Sequence, residues 1–178
     1  MSNPSLSIVI PTYNERENIS KIVTRLKKTL KGINHEIIFV DDNSPDGTSD
    51  EIRLFMKNTS RINLIHRIGR KGLSGAVIEG IYAAKAELVG VMDCDLQHDE
   101  SKLLDMLDLF SKSSSLDLVI GSRFTADGEI SDKAFSKIRE IGSKIITVII
   151  KKILSINSTD PLSGFFMVRK KSFLKCSD

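Results

Sequence analysis

Two aspartates one residue apart, Asp93 and Asp95, follow the apolar run 88–92 and open the segment Asp93-Cys94-Asp95-Leu96-Gln97-His98. Carboxylates spaced this way at the end of a strand leave the sheet and enter a turn, where both can approach one hard divalent cation. Oxygen ligands suit Mg2+ or Mn2+, and Gln97 could add a carbonyl oxygen. A cation held there would bridge a diphosphate and neutralise a leaving group. Alone, Asp-x-Asp is short and common, and a solvated turn is its ordinary explanation. Cys94 reads as a small filler. His98 could be a ligand, although a lone loop histidine usually is not one.

A second acidic pair, Asp41-Asp42, ends the run 36–40. Either carboxylate could accept from a ribose hydroxyl or a base edge. The following Asn43-Ser44-Pro45-Asp46-Gly47 reads as a turn leading into a helix, so Asp42 needs a functional reading more than Asp46 does. Gly69, Gly72, Gly75 and Gly80 do not have the spacing of a dinucleotide fingerprint, and Lys71 stands before Gly72, which also excludes a phosphate-binding P-loop. A tight turn with close helix packing accounts for them.

These groups have to be positioned by regular elements. Short apolar runs at 6–10, 36–40, 62–65, 88–92 and 116–120 are rich in Val, Ile and Leu, as strands covered on both faces are. Helical patterns lie between them: 15–31, a segment starting at Thr48, 73–85 and 101–111. Asn14 with Glu17, and Thr48 with Glu51, have the spacing of capping boxes. Such alternation predicts βαβ units in an open, mostly parallel α/β sheet flanked by helices, whose ligands sit beyond the carboxyl ends of the strands. Two further strand-end clusters, Pro11-Thr12-Tyr13-Asn14-Glu15 and Gly121-Ser122-Arg123, belong to that edge.

Composition sets the outer limits. The 178 residues are 40% hydrophobic and 28% charged, with a formal net charge of +3 and two cysteines. That is an ordinary globular composition, too weakly basic to indicate nucleic acid as a partner. Two cysteines make no disulfide framework and suit a reducing compartment. No signal peptide opens the sequence and no apolar run is long enough to span a bilayer. A cytoplasmic location is the expectation, with room for peripheral contact at the cytoplasmic face of a membrane.

Taken in order, Pro11-Thr12-Tyr13-Asn14-Glu15, Val40-Asp41-Asp42-Asn43-Ser44-Pro45-Asp46-Gly47-Thr48 and Asp93-Cys94-Asp95-Leu96-Gln97-His98 resemble glycosyltransferase family 2. Gly121-Ser122-Arg123-Phe124 and Asp160-Pro161-Leu162-Ser163-Gly164-Phe165 narrow the likeness to the dolichol- or polyprenol-phosphate mannosyltransferases. The resemblance covers nearly the whole chain and implies the Rossmann-like GT-A fold. It also implies roles. Pro11, Tyr13, Glu15, Val40 and Asp42 would contact the nucleoside of a sugar donor such as GDP-mannose. Asp93, Asp95 and Gln97 would gather around the metal and diphosphate, Cys94 would offer backbone, and Arg123 would take part on the donor side as well. Arg123, Arg139 and Ser143 would hold the phosphate of a polyprenyl-phosphate acceptor, with Asp95, Arg123 and Arg139 carrying the catalysis.

The arginines suit that acceptor. The second pKa of a phosphate lies near 6, so its oxygen is already anionic at neutral pH and needs no general base. Transfer in line would invert the anomeric carbon, as the resemblance implies. Segment 137–156 is apolar at Ile141, Ile145, Ile146, Val148, Ile149, Ile150, Ile153 and Leu154, with Lys144, Lys151 and Lys152 around them. It suits either a helix in the membrane interface or a buried core helix. The family usually has Ala at Cys94, and its members continue past the point where this chain ends. The expectation is one domain, 1–178, truncated at its C-terminus, with a nucleotide-sugar half at 1–121 and part of an acceptor half at 122–178. Another sugar, a saccharide acceptor, or a non-catalytic donor-binding fragment are the alternatives.

Overall fold

A computed structural model describes residues 3–122 and 163–177. Its elements are β1 (Leu6–Thr12), α1 (Arg16–Thr29), β2 (His35–Asp41), α2 (Thr48–Asn58), β3 (Ile62–His66), α3 (Leu73–Ala83), β4 (Leu88–Val91), α4 (Lys102–Lys112), β5 (Leu118–Ile120), β6 (Phe166–Arg169) and α5 (Lys170–Ser177). The strands form one sheet in the order β3-β2-β1-β4-β6-β5. The pairs β1–β2, β1–β4 and β2–β3 are parallel, whereas β6 runs antiparallel to both β4 and β5. The open, mostly parallel sheet is as expected from the alternating runs. The antiparallel β6 was not: at four residues, it is too short to show a period.

The central strands are apolar at successive positions because both faces are covered. On one face, Ile8, Ile10, Ile37 and Phe39 pack with Ile19, Ile22, Val23 and Leu26 of α1 and with Leu103, Met106 and Phe110 of α4. On the other, Val9, Ile38, Val40, Val89 and Val91 pack with Ala76, Ile81 and Ala84 around α3. The spacing 19, 22, 23, 26 puts one apolar stripe of α1 against the sheet. All four of its side chains are fully buried, a gross hydrophobic contribution of roughly 6–12 kcal/mol at about 1.5–3 kcal/mol each.

The glycines before and within α3 act as expected from a tight turn and close packing. Gly69 and Gly72 have φ of +76° and +123°, which favours glycine. At Gly80, an added Cβ would land on a Val9 methyl and lie 3.1 Å from a methyl of Val40. The helix therefore sits against the sheet at a distance only glycine allows.

Neither capping box forms. The cap residue of α1 is Glu15 and that of α2 is Gly47, and neither makes a side-chain cap bond. Asn14 instead takes a left-handed φ of +58°, and the first amides of α1 are satisfied from the loop after β2. Tertiary partners outcompeted the local ones.

Candidate functional site

The carboxyl ends of β1 and β2 are laced together by hydroxyls and carboxylates. Asn14 N–H donates to Ser44 Oγ at 2.9 Å, Glu15 N–H to Thr48 Oγ1 at 3.0 Å and Arg16 N–H to Asp46 Oδ2 at 3.1 Å. Asp41 is wholly buried and accepts from Thr12 Oγ1 (3.1 Å), Ser44 N–H (3.0 Å), Ser44 Oγ (2.6 Å) and Ser49 Oγ (2.8 Å). Four donors on one carboxylate make Asp41 the organiser of this edge. Asp46 accepts from Thr48 Oγ1 at 2.6 Å and from its N–H at 2.9 Å. Burial pushes its carboxyl upward, but the Thr48 hydroxyl, with the Thr48 and Arg16 amides, outweighs that and holds it below the usual value.

Asp42, one residue on, faces a different set of groups. Its Oδ1 meets Arg67 Nη1 at 2.5 Å and its Oδ2 accepts from Gly72 N–H at 2.7 Å. Arg67 is itself only 3% exposed. It also donates to the Gly72 carbonyl at 3.0 Å and, through Nε, to Glu79 Oε1 at 3.1 Å. Gly75 leaves room for that guanidinium, since a Cβ there would come 2.6 Å from Arg67 Nη2. The carboxylate and guanidinium together shape the loop from β3 to α3. That loop places Lys71 Nζ 5.2 Å from the centroid of the Tyr13 ring, within reach of a cation–π contact. Tyr13 is 48% exposed. Pro11 and Val40 are register partners across β1 and β2. Both are buried, Val40 wholly so against Gly80. Their side chains form the floor below these loops and present no open surface.

One strand to the other side of β1, the turn after β4 carries the second acidic pair. Asp95 is exposed; its Oδ1 accepts from Gln97 N–H at 3.0 Å, and Leu96 between them has φ of +64°. The Gln97 side chain is exposed as well. Asp93 is partly buried, with Oδ2 3.2 Å from His98 Nε2. Cys94 is 2% exposed. Burial, then the negative charges of Glu15, Asp95 and Asp93, push its thiol up to about 12. A buried, protonated thiol agrees with a small filler. The three carboxylates that act on it show that the β1 loop and the β4 turn adjoin.

Among the described residues no three His, Cys, Asp or Glu side chains form a metal cage. Asp93 and Asp95 supply hard oxygen only, and Asp95 Oδ2 has no hydrogen-bond partner among the described residues. This fits a Mg2+ or Mn2+ ion that takes one or two carboxylates from the protein and completes its shell with phosphate oxygens and water. Asp42 directly follows β2 and the Asp93–Asp95 turn follows β4, with β1 between these strands. At two strand spacings, about 10 Å, the two groups would address different parts of one extended ligand.

Arg123, Arg139 and Ser143, and the segment 137–156, lie outside the described residues. Three contributors have no role at this edge in the sequence reading: Arg67, Lys71 and Gly164, whose Cβ position lies 2.5 Å from Asp93 Oδ2. Arg67 follows the third strand immediately, so the strand-end rule would have found it had it been applied there. A cavity of about 350 Å3 near Lys27, Lys31, His35 and Arg61 lies at the opposite, amino ends of β2 and β3 and shares no residue with this edge.

The sequence matches Glycosyl transferase family 2 over residues 7–176. It is 37% identical over 168 residues to a dolichol-phosphate mannosyltransferase of Pyrococcus furiosus, covering 93% of this chain and 46% of the relative. It is 33% identical over 180 residues to that of Saccharomyces cerevisiae, covering 96% and 63%. This chain thus spans about half to two thirds of the length of these relatives. A mannosyltransferase from Pyrobaculum calidifontis in complex with GDP-Man and Mn2+ superposes with a TM-score of 0.67 at 15% identity, covering 99% of this chain and 47% of that one. Glucosyl-3-phosphoglycerate synthase from Mycobacterium tuberculosis, in complex with Mn2+, UDP-Glc and glycerol 3-phosphate, superposes at 0.66 with 17% identity, covering 94% and 57%. At these identities the two structures establish the GT-A fold.

Proposed function

Since this chain belongs to glycosyltransferase family 2, we propose that it forms the donor-binding part of an inverting, metal-dependent mannosyltransferase acting from GDP-mannose onto a polyprenyl (dolichyl-type) phosphate. The observation that carries this reading is the pairing, across β1, of a carboxylate–arginine–lysine cluster with an oxygen-only acidic turn. The first suits a nucleoside and the second a diphosphate. The likeness to dolichol-phosphate mannosyltransferases supports the choice of sugar and acceptor.

In this reading the exposed Tyr13 ring and Lys71 flank the base, and Asp42, held by Arg67 and Gly72, accepts from the ribose or base. Glu15 stands with the nucleoside contacts, and Asp93, Asp95 and Gln97 face the diphosphate, with the Cys94 backbone beside them. A bound Mg2+ or Mn2+ would stabilise charge on the departing diphosphate. Arg123, Arg139 and Ser143 orient the acceptor phosphate through charge-assisted hydrogen bonds, and no side chain is asked to remove a proton from it. Residues 1–121 serve the donor and 122–178 begin the acceptor side, with β6 returning to the donor sheet. No helix among the described residues is long and apolar enough to cross a membrane. Contact with a membrane surface at the cytoplasmic face is part of the proposal because the acceptor is a lipid.

The test is a donor panel with a short polyprenyl phosphate and the full-length gene product, followed by product identification. Mannosyl phosphate lipid formed from GDP-mannose alone supports the reading. Another sugar or a saccharide product replaces it, and donor binding without turnover reduces it to a binding module. Asp95→Asn should abolish metal-dependent donor binding in calorimetry; equal binding with and without Mn2+ in the wild type would remove the metal role.

A further inference from the structure

The segment Ser163-Gly164-Phe165 returns from outside the described region and touches the β4 turn at two points. Gly164 lies against the Asp93 carboxylate: a Cβ there would come 2.5 Å from Oδ2 and 3.1 Å from Oδ1 and Cγ. Gly164 is not among the glycines with positive φ, so its backbone would accept a side chain. Space, and specifically the space taken by Asp93, is what requires glycine here. Phe165 is 4% exposed, and its ring stacks on His98 with centroids 5.0 Å apart and planes 25° from parallel. His98 in turn places Nε2 3.2 Å from the same Asp93 oxygen.

The segment is itself clamped to β5. Ser163 Oγ donates to the Gly121 carbonyl at 2.6 Å, Phe165 N–H donates to Ser163 Oγ at 3.2 Å, and Gly121 N–H donates to the Phe165 carbonyl at 2.8 Å. Gly121 is close-packed too, since a Cβ there would come 2.6 Å from the Phe165 ring. Two residues beyond Gly121 stands Arg123. One tripeptide therefore ties the acidic turn to the strand end that leads to this arginine.

We infer that Gly164 and His98 are positioning residues: together with Phe165 they form a latch that fixes the Asp93 carboxylate, and Asp93 in turn sets the cation affinity of the turn. This rests on the proposed metal role of Asp93 and Asp95. The geometry separates the latch from a merely structural contact. The atoms that a new Cβ at Gly164 would meet are the far end of the Asp93 side chain, which can swing aside at little cost to stability. Gly164→Ala should therefore displace Asp93 without unfolding the chain.

The test is calorimetric titration of Mn2+ into the protein saturated with GDP, alongside thermal unfolding without metal. Outer partners of metal ligands typically affect affinity by about 10–100-fold. Gly164→Ala and His98→Ala should each weaken Mn2+ binding about tenfold while leaving the thermal midpoint near that of the wild type. His98→Gln, which keeps a donor, should recover part of the loss. In an Asp93→Ala background, Gly164→Ala should have no further effect on residual Mn2+ binding, because its target is gone. Wild-type Mn2+ affinity in Gly164→Ala, or an equal loss in the Asp93→Ala background, would overturn the latch. Failure of the wild type and GDP to bind Mn2+ at all would overturn the metal reading, a different result.

Discussion

Replacing Arg67 by Met tests whether the buried Asp42–Arg67 pair organises the donor edge. Met approximates the volume of the arginine stem and removes the guanidinium. Three acceptors then lose a donor: Asp42 Oδ1, the Gly72 carbonyl and Glu79 Oε1. Breaking a buried pair by removing one partner costs about 3–5 kcal/mol, because the other charge stays buried. Here the lower end applies. Asp42 keeps the Gly72 amide, and Glu79 keeps Arg70, which donates to it at 2.9 and 2.8 Å. A loss of about 3 kcal/mol corresponds to a fall in Tm of roughly 6–12 °C in a chain of this size. The second arm is Arg67→Met with Asp42→Asn. Removing both charges should restore a good part of the stability, since no buried charge is left without its partner. GDP affinity should stay low in the double variant, because the donor has lost its carboxylate. Thermal unfolding and calorimetry with GDP read both quantities. If Arg67→Met melts within about 1 °C of the wild type, or if the double variant is no more stable than the single one, the pair does not hold this loop.

Three further outcomes follow from the same geometry. Gly80→Ala should destabilise the protein by about 1–2 kcal/mol in urea unfolding, because overpacking against Val9 and Val40 exceeds the gain in helix propensity of about 1 kcal/mol; a stabilised variant would contradict the close approach of α3. Cys94, with its thiol pushed up to about 12, should resist alkylation at pH 8 in the native state and react once urea unfolds the chain, as peptide mapping would show; rapid native labelling would mean that it is not buried. Asp46 is held below the usual carboxylate value, so its stabilising effect is present above that value and is lost as pH falls through the lower folded one. Asp46→Asn should accordingly lower the urea midpoint at pH 7 and make no difference near pH 2, and a constant difference across that range would exclude the linkage.

The fold was legible because its signals were redundant. Each central strand is apolar on both faces, as β1 shows with Ile8 and Ile10 to one side and Val9 to the other, and α1 repeats its stripe over two turns. The helices start where expected, at 16 and 48, but their capping differs, because a polar side chain at the right spacing does not decide which amide it serves. Asn14 and Thr48 have capping-box spacing, yet Ser44, Asp46 and Thr48 serve the adjacent chain segment, about thirty residues away in sequence. Strand β6 was missed for the opposite reason. It has only four residues, and the partners that define it, β4 and β5, are distant in sequence.

At the candidate site, residue types pointed to the carboxyl edge of the sheet but not to the different partners that each carboxylate meets there. Asp41 and Asp42 are adjacent and identical in type. One collects four donors from its own loops, and the other meets an arginine and a glycine amide brought by β3 and α3. No local pattern separates them, because the difference is made by which elements the sheet order places beside each carboxylate. The same reasoning ranks Asp93 and Asp95. Asp95 has one oxygen without a hydrogen-bond partner among the described residues and is exposed, whereas Asp93 is approached by His98 and Gly164. If a cation binds here, Asp95 can move to meet it and Asp93 must already be in place. The energetic cost of ordering the turn then falls on Asp95. Substituting Asp95 should therefore cost mainly the cation's contact energy, while substituting the neighbours of Asp93 should cost preorganisation. That distinction appears only when cation binding and thermal stability are measured on the same variants.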